Sequence, residues 1–134
     1  MSDQEEKDID APAKTIYGEA RGESEEGKYA VAHTVRNRQE SKKPWLKGNT
    51  IEETCKKPKQ FSCWNDNDVN RKKLQNVTPE YREIAKNVIQ GRHQDNTGGA
   101  THYYSDSLPK PPSWAKSKTS SAVIGHHKFF NNID

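Results

Sequence analysis

The sequence predicts an α+β fold that is mostly helical, with a small β element towards its C-terminal end. Three segments carry apolar residues at helical spacing, and this spacing stops after Gly98. Beyond that point, residues 122–124 and 128–130 are β-favouring and lie on either side of Gly125, which predicts a short hairpin or a pair of edge strands. With 134 residues, the chain has the length of one domain.

The first predicted helix carries a carboxylate at the edge of its apolar face. Ala13, Ile16, Tyr17 and Ala20 recur at positions i, i+3, i+4 and i+7, which defines a one-sided stripe. Glu19 lies beside that stripe, neither within it nor opposite it. A carboxylate in this position can be partly desolvated while it still reaches a cleft, as a general acid must. The alternative is an ordinary surface glutamate in the last turn of an amphipathic helix.

The remaining helix boundaries follow from capping residues. Asp10 can cap the first helix, Pro12 is tolerated in its opening turn, and Gly22 is expected to end it. Ser24 then caps the second helix. The third predicted helix covers residues 79–90. Its expected buried stripe consists of Tyr81, Ile84, Ala85, Val88 and Ile89.

Charge is distributed unevenly along the chain. Residues 1–10 carry a net charge of −4, so the formal net charge of +3 leaves +7 for residues 11–134. We expect residues 1–10 to form a disordered acidic tail and residues 11–134 to form the folded domain. A basic body suits a polyanionic partner, either nucleic acid or an anionic cell wall, but a solvated lysine-rich surface explains it equally well.

Several classes of protein are disfavoured by the sequence. No apolar run approaches the length of a membrane-spanning helix, and the first residues lack the apolar core of a secretion signal. If the chain begins at its natural N-terminus, it has no secretion signal of the usual kind. Cys55 and Cys63 lack CxxC spacing and a metal-ligand set, which is consistent with reduced thiols, although the sequence does not decide whether they form a disulfide.

Four motifs stand in order along the chain: YGEARGE at 17–23, QFSCW at 60–64, DNTGGATHYY at 95–104 and GHHKF at 125–129. In this order they resemble the motifs of the bacterial cell-wall hydrolases typified by the spore-cortex-lytic enzymes. The helix after the first motif ends in Asn37-Arg38, as it does in that family. The resemblance covers roughly residues 12–130. One departure is Asn96, where the family usually has proline in an Asp-Pro-Thr turn; asparagine also tolerates turn geometry.

The resemblance implies a lysozyme-like, lytic-transglycosylase-like domain in which one glutamate performs the proton transfers on peptidoglycan. Glycosidic cleavage requires a proton for the leaving oxygen and stabilisation of an oxocarbenium-like transition state. In lytic transglycosylases the glutamate acts first as acid, then as base towards the C6 hydroxyl of N-acetylmuramic acid, and the product is a 1,6-anhydro sugar. Glu19 occupies this position in the motif. A hydrolytic muramidase begins with the same proton transfer and is the alternative.

The resemblance also places two further segments near the cleft as substrate contacts. Gln60 and Ser62 supply polar partners for N-acetyl and hydroxyl groups, while Tyr103 and Tyr104 supply aromatic rings or a phenol. Because consecutive residues of a strand point to opposite faces, we expect one of the two tyrosines to pack in the core.

Three residues are candidates for supporting roles. Glu23 is expected to hold Arg21, Arg38 or a backbone amine and so to set the geometry around Glu19. Asp95 could be a second carboxylate, although its neighbours suggest that it caps a turn. His127 matches the family's histidine, and a hydrogen-bonded structural histidine is the alternative.

No metal or organic cofactor is implied, and the expected partner is the glycan strand of peptidoglycan, bound by a monomer. The protein would be made in the cytoplasm and act on the wall after release or export, as a phage endolysin does. A basic module that binds nucleic acid or the wall without catalysis is the alternative from another class. Its contacts would come from Lys42-Lys43, Lys56-Lys57 and Arg71-Lys72-Lys73, with Trp45 and Trp64 for stacking.

Overall fold

The computed structural model describes residues 2–58 and 60–133, which form four α-helices, three β-strands and several short 3₁₀ helices. The helices are α1 (Asp3–Ala20), α2 (Glu25–Glu40), α3 (Ile51–Lys56) and α4 (Pro79–Ile89). The strands are β1 (His102–Ser105), β2 (Ala122–Ile124) and β3 (His127–Phe130). The mostly helical α+β class is therefore confirmed.

Helix α1 starts well before the predicted cap at Asp10. Ser2 and Glu5 form a reciprocal capping box, in which Ser2 Oγ accepts from Glu5 N at 3.1 Å and Glu5 Oε1 accepts from Ser2 N at 3.2 Å. Ile9 is buried, and Glu6 pairs with Arg82 at 2.8 Å. The expected disordered tail is therefore wrong for residues 3–10, because acidic residues also stabilise a helix N-terminus. Met1 lies outside the described residues.

The opening turn and the end of α1 also differ in detail from expectation. Pro12 lies in the interior of α1 rather than in its opening turn, and it is buried. The helix ends at Ala20, with Arg21 as its C-cap, so Gly22 lies just beyond the end. Ser24 caps α2 as predicted, and its side chain accepts from Gly27 N at 3.3 Å.

Helices α1, α2 and α4 enclose the main core. The predicted stripe of α1 is buried through Ala13, Ile16 and Ala20, and Ile9 extends it by one turn. Tyr17 is half-buried and meets the ring of Tyr81 edge-on at 5.2 Å. A second cluster joins α1 and α2 to α3 and the segment after it; its members are Ala11, Val35, Cys55, Phe61, Cys63 and Leu74.

The strands form an antiparallel sheet in the order β1-β3-β2, so the predicted hairpin around Gly125 is confirmed. Tyr103 pairs with Phe129 on the face towards the helices, where both contact a cluster containing Ala30 and Ala100. Tyr104 pairs with Lys128, and its ring packs on the cluster that contains Phe130, on the other face. The two tyrosines thus point to opposite faces, as expected.

Candidate active site

Glu19 lies in the last turn of α1, where a loop from the second motif packs directly against the helix. A Cβ at Gly18 would lie 2.6 Å from Cys63 Cβ and 2.7 Å from Leu74 Cδ2, so only glycine allows this close approach. Trp64 Nε1 also holds this loop against α1, because it donates a hydrogen bond to Thr15 Oγ1 at 2.8 Å. Gly18, the neighbour of Glu19 in the motif, therefore allows the close contact that brings the loop to the Glu19 carboxylate.

Three donors hold the Glu19 carboxylate. Tyr103 donates its phenolic hydrogen to Oε1 at 2.5 Å. Cys63 N and Ser62 Oγ donate to Oε2 at 3.1 Å and 3.3 Å. Ser62 is exposed, so Oε2 borders the open part of the site, while Oε1 faces the half-buried phenol of Tyr103.

The groups next to Glu19 remain uncharged. Burial, followed by the charge of Glu19, raises the pKa of Tyr103 well above its ordinary value of 10.0. The same two causes raise the pKa of the Cys63 thiol. Tyr103 therefore keeps the hydrogen that it donates across the whole physiological pH range, and the thiol does not compete as an anion.

Arg38, at the end of α2, links three segments of the site. Its Nη1 donates to the main-chain oxygen of Gln60 at 3.3 Å and to Gln60 Oε1 at 3.0 Å, while Nε donates to Thr101 O at 2.6 Å. The guanidinium also lies over the ring of Phe61, 4.3 Å from its centroid. With Oε1 of Gln60 accepting from Arg38, the amide nitrogen of Gln60 remains as its donor to the cleft.

Glu23 forms no hydrogen bond or ion pair with Arg21 or Arg38; of the partners expected for it, the main-chain N–H is the one that it holds. Its Oε1 accepts from His126 N at 2.7 Å, and its Oε2 lies 2.9 Å from His126 Nδ1. Burial acts to raise the pKa of Glu23, but the hydrogen bonds from His126 and the charges of His127 and His126 outweigh it and lower that pKa below its ordinary 4.5. The backbone-amine part of the expectation matches the bond from His126 N.

His127 connects this pair to the cleft. Its Nδ1 lies 3.5 Å from Glu23 Oε1, too far for a hydrogen bond in this geometry, and its ring meets Tyr103 edge-on at 5.0 Å. Burial lowers the pKa of His127, although the charges of Glu23, Glu19 and Asp106 oppose the shift. The turn beside it requires Gly125, which has a φ of +58° and whose added Cβ would lie 2.5 Å from Glu23 Oε1.

An open cleft of about 400 Å³ lies in front of Glu19. Six of the residues singled out in the sequence line it, namely Glu19, Gln60, Ser62, Tyr103, Tyr104 and His127. Among the lining residues described, Glu19 is the one carboxylate. The cleft thus combines an acid group with amide, hydroxyl and aromatic partners, which is the composition of a carbohydrate site.

Asp95 lies outside the cleft. Its Oδ1 accepts from Thr97 N and Oγ1 at 2.7 Å and 2.6 Å, and its Oδ2 accepts from Gly99 N and Asn37 Nδ2, both at 3.0 Å. Burial acts to raise the pKa of Asp95, but the bonds from Thr97 and Asn37 lower it. Asp95 therefore caps the turn of the third motif. Asn96 contributes a bond from its Nδ2 to Glu26 O at 3.1 Å.

The cleft contains further residues that the sequence did not place there, although Gly18 and Arg38 belong to the quoted motifs. They are Gly18, Arg38, Asn70, Ser105, Leu108, Pro112 and Trp114. Trp114 carries the one usable signal, since an isolated tryptophan in a proline-rich loop is a candidate sugar platform. Asn70 has no such signal; it reaches the site because Arg21 Nη2 donates to its Oδ1 at 2.7 Å.

For residues 2–58 and 60–133, the structure describes the state of the two cysteines, the apolar length of the helices and the grouping of potential metal ligands. Cys55 and Cys63 are buried free thiols, and burial raises the pKa of Cys55 to about 12. No described helix is long and apolar enough to cross a membrane. No described group of three or more His, Cys, Asp or Glu residues could hold a metal ion.

The fold and the cleft together define a small α+β domain of the lysozyme-like type, with one carboxylate at the end of a helix. The chain belongs to the cell wall hydrolase family, whose model matches residues 22–130. That match begins after Glu19, so the case for Glu19 depends on the motif and on the geometry of the site.

Similar proteins agree with this assignment. The chain is 31% identical over 128 residues to a spore cortex-lytic enzyme of Halalkalibacterium halodurans, a match that covers 94% of this chain and 35% of that protein. The chain thus spans about a third of the length of that relative.

Two solved structures share the fold. The catalytic domain of the Bacillus cereus SleB protein aligns with a TM-score of 0.76 and 26% identity, over 93% of this chain and 90% of that one. The catalytic domain of a germination-specific lytic transglycosylase, SleB from Bacillus anthracis, aligns with a TM-score of 0.74 and 26% identity, over 97% and 96%. The expected lysozyme-like fold is thereby confirmed.

Proposed function

We propose that this chain cleaves the β-1,4 bond between N-acetylmuramic acid and N-acetylglucosamine in peptidoglycan, as a lytic transglycosylase with Glu19 as acid and then base. The observation that carries the proposal is the Glu19 carboxylate, held at the cleft by Tyr103, Cys63 N and Ser62. The similarity to a spore cortex-lytic enzyme and to a lytic transglycosylase domain supports the choice of substrate and reaction.

In the first step Glu19 acts as the acid. A proton on Oε2, the oxygen beside exposed Ser62, passes to the glycosidic oxygen as the bond from that oxygen to C1 of the muramic acid breaks. The bonding electrons leave with the N-acetylglucosamine oxygen, and C1 acquires oxocarbenium character. Tyr103 and Cys63 N then stabilise the carboxylate that forms, since both donate to it.

In the second step the same carboxylate acts as the base. It takes the proton of the C6 hydroxyl of the muramic acid while O6 bonds to C1, which gives the 1,6-anhydro product and restores the acid. A hydrolytic muramidase would place a water molecule where O6 attacks, and it normally needs a second carboxylate, either as the base for that water or as a nucleophile. Because Glu19 is the one carboxylate among the described lining residues, the transglycosylase is the better match.

The other cleft residues would bind the glycan. The amide nitrogen of Gln60 and the hydroxyl of Ser62 suit the N-acetyl and hydroxyl groups, and Tyr104 offers ring surface. His127 lines the cleft and packs edge-on against the ring of Tyr103, and Glu23 lies behind it, 3.5 Å from His127 Nδ1. We assign the activity to the folded domain, which includes residues 3–10 of α1, acting as a monomer on the wall, outside the cytoplasm.

Mass spectrometry of purified peptidoglycan digested by the wild type and by Glu19→Gln tests the proposal. We expect anhydro-muropeptides from the wild type and their disappearance with Glu19→Gln. Glu83→Gln, on the exposed side of α4, is the matched control and should release the same products as the wild type.

Two other outcomes would change the assignment. Reducing-end sugars that vanish with Glu19→Gln would show a muramidase. No release by the wild type from several wall types would exclude the enzyme and favour the basic binding module.

A further inference from the structure

A second concave surface lies beside the cleft, on the outer face of the sheet. This groove, about 530 Å³ in volume, is bordered by Tyr104 and Phe130 and by the loop that follows β1. Tyr104 also lines the catalytic cleft, and the 3₁₀ turn Ser113–Ala115 separates the two, since Trp114 faces the cleft and Ser113 and Ala115 face the groove. The groove therefore adjoins the proposed site of cleavage, with Tyr104 bordering both.

The rim of the groove is strongly basic. Lys110, Lys116, Lys118 and Lys128 all border it, and none forms an ion pair with another described residue. Residues 107–133 contain these four lysines and no aspartate or glutamate. The positive charge of the rim is therefore not balanced within its own segment, which favours an anionic ligand.

The floor of the groove is apolar and rigid. The rings of Tyr104 and Phe130 stack at 5.6 Å, and Trp114 meets Phe130 edge-on at 5.4 Å. Ser117 adopts a φ of +64°, in the left-handed region that few residues other than glycine occupy. This turn sets Lys116 and Lys118 on the same groove, so the loop has a specific conformation beside the cleft.

We propose that this groove binds the anionic peptide stem carried by the muramic acid whose glycosidic bond is cleaved. The inference rests on the proposed function, because a glycan in the cleft must direct the stem on its lactyl group past one wall of that cleft. A stem carries free carboxylates, which match the lysine rim, and alanine methyl groups, which match the Tyr104 and Phe130 floor. The enzyme would then prefer glycans that retain their stems.

The test compares two substrates: polymeric glycan with its stems, and the same glycan after an N-acetylmuramoyl-alanine amidase has removed them. Lys116→Ala with Lys118→Ala removes two charges from the groove. Lys72→Ala with Lys73→Ala removes the same charge from an exposed 3₁₀ segment that lines neither the groove nor the cleft.

The groove variant should raise KM for the stem-bearing glycan about fivefold to tenfold, with kcat within about twofold, as expected for two solvated charge contacts. Its preference for the stem-bearing glycan over the stripped one should fall by the same factor, whereas the Lys72 and Lys73 control should keep the wild-type preference. Equal losses on both substrates, or an equal loss in the control, would overturn the proposal.

A binding measurement tests whether the groove binds the peptide stem even if the proposed reaction is wrong. Glu19→Gln is titrated with a soluble disaccharide that carries a stem, and amide NMR shifts are followed. We expect shifts at residues 110–118 that the stem-free disaccharide does not produce. Equal shifts with the stem-free disaccharide, or with short polyphosphate at similar affinity, would overturn the proposal in favour of general sugar or anion binding.

Discussion

Glu19 lies at the end of α1 and Glu23 lies in the turn that follows it, and the two carboxylates share no hydrogen-bond partner. Glu19 is held by a phenol, a hydroxyl and a backbone amide, all of which are neutral. Glu23 is held by the main chain and ring of His126, with His127 Nδ1 at 3.5 Å. One carboxylate opens onto a cleft, and the other is covered by Gly125.

This contrast is the basis for the different tasks that we propose for the two glutamates of one motif. Among neutral donors, proton transfer at a carboxylate breaks no ion pair, as the proposed acid and base steps require. The lowered pKa of Glu23 and its histidine partners keep it charged and in place. The difference arises from tertiary partners, since the two residues lie on adjoining segments of the same motif.

The largest expected difference is catalytic. Glu19→Gln should lower kcat on peptidoglycan by about 10³-fold, because the amide cannot donate or accept the transferred proton. Glu23→Gln should lower it by less than about 10-fold, because Gln can still accept from His126 N. Initial rates of muropeptide release at one pH measure both. Losses of similar size would contradict the division of tasks.

The next largest effect tests whether a neutral donor to Glu19 contributes to the rate. Tyr103→Phe removes the phenol that donates to Glu19 Oε1 at 2.5 Å, and we expect kcat to fall by about 10- to 100-fold with little change in KM. Its matched control is Tyr81→Phe, a buried tyrosine of the α4 stripe that does not line the cleft. A wild-type rate for Tyr103→Phe would show that the phenol serves only to pack.

The third effect tests how the loop reaches Glu19. A Cβ at Gly18 would lie 2.6 Å from Cys63 Cβ, so Gly18→Ala should displace the loop that supplies Cys63 N and Ser62. We expect a loss of about 1–3 kcal/mol in the free energy of unfolding and about tenfold in kcat. Urea unfolding and muropeptide release measure the two losses.

Gly22 supplies the control within the same motif. An added Cβ there meets no other atom within 4 Å, and the residue lacks a positive φ, so Gly22→Ala should be nearly neutral in both measurements. Equal effects of the two substitutions would show that contact with Cys63 is unimportant.

What could be predicted from the sequence was mainly local. The stripe beside Glu19, the α4 helix and the turn at Gly125 follow from spacing and from glycine placement over a few residues. The partners of Glu23 do not, because His126 lies 103 residues further along the chain. Asn70 and Trp114 reach the cleft from irregular loops, which periodicity does not describe.

One local prediction also failed for a physical reason. The acidic residues near Ser2 suggested disorder through their net charge, yet the same residues complete a capping box and interact with the helix dipole. Ile9 is buried against the core, and it is the single large apolar side chain of residues 1–10 after Met1. Its burial favours the helix over a disordered tail.

The smallest expected effect concerns stability and pH at Glu23. Because the pKa of folded Glu23 lies below 4.5, its contribution is complete above pH 4.5 and is lost as the pH falls through the folded value. Because the hydrogen bond to Glu23 raises the pKa of folded His126 above 6.5, the contribution of His126 is complete below pH 6.5 and is lost as the pH rises through the folded value. The charged pair therefore stabilises the fold most between pH 4.5 and 6.5.

Glu23→Gln should therefore lower the thermal midpoint by about 2–4 °C at pH 5.5 and by less at pH 3.5 and pH 8. Glu83→Gln, an exposed carboxylate on α4, should follow the wild-type curve at every pH. His126→Ala should remove the decline above pH 6.5 that comes from its own titration and should weaken the decline below pH 4.5, because the His126 side chain also lowers the pKa of Glu23. A constant offset between the wild type and Glu23→Gln from pH 3.5 to pH 8 would mean that Glu23 acts through its hydrogen bonds alone, and the contrast with Glu19 would no longer be one of charge.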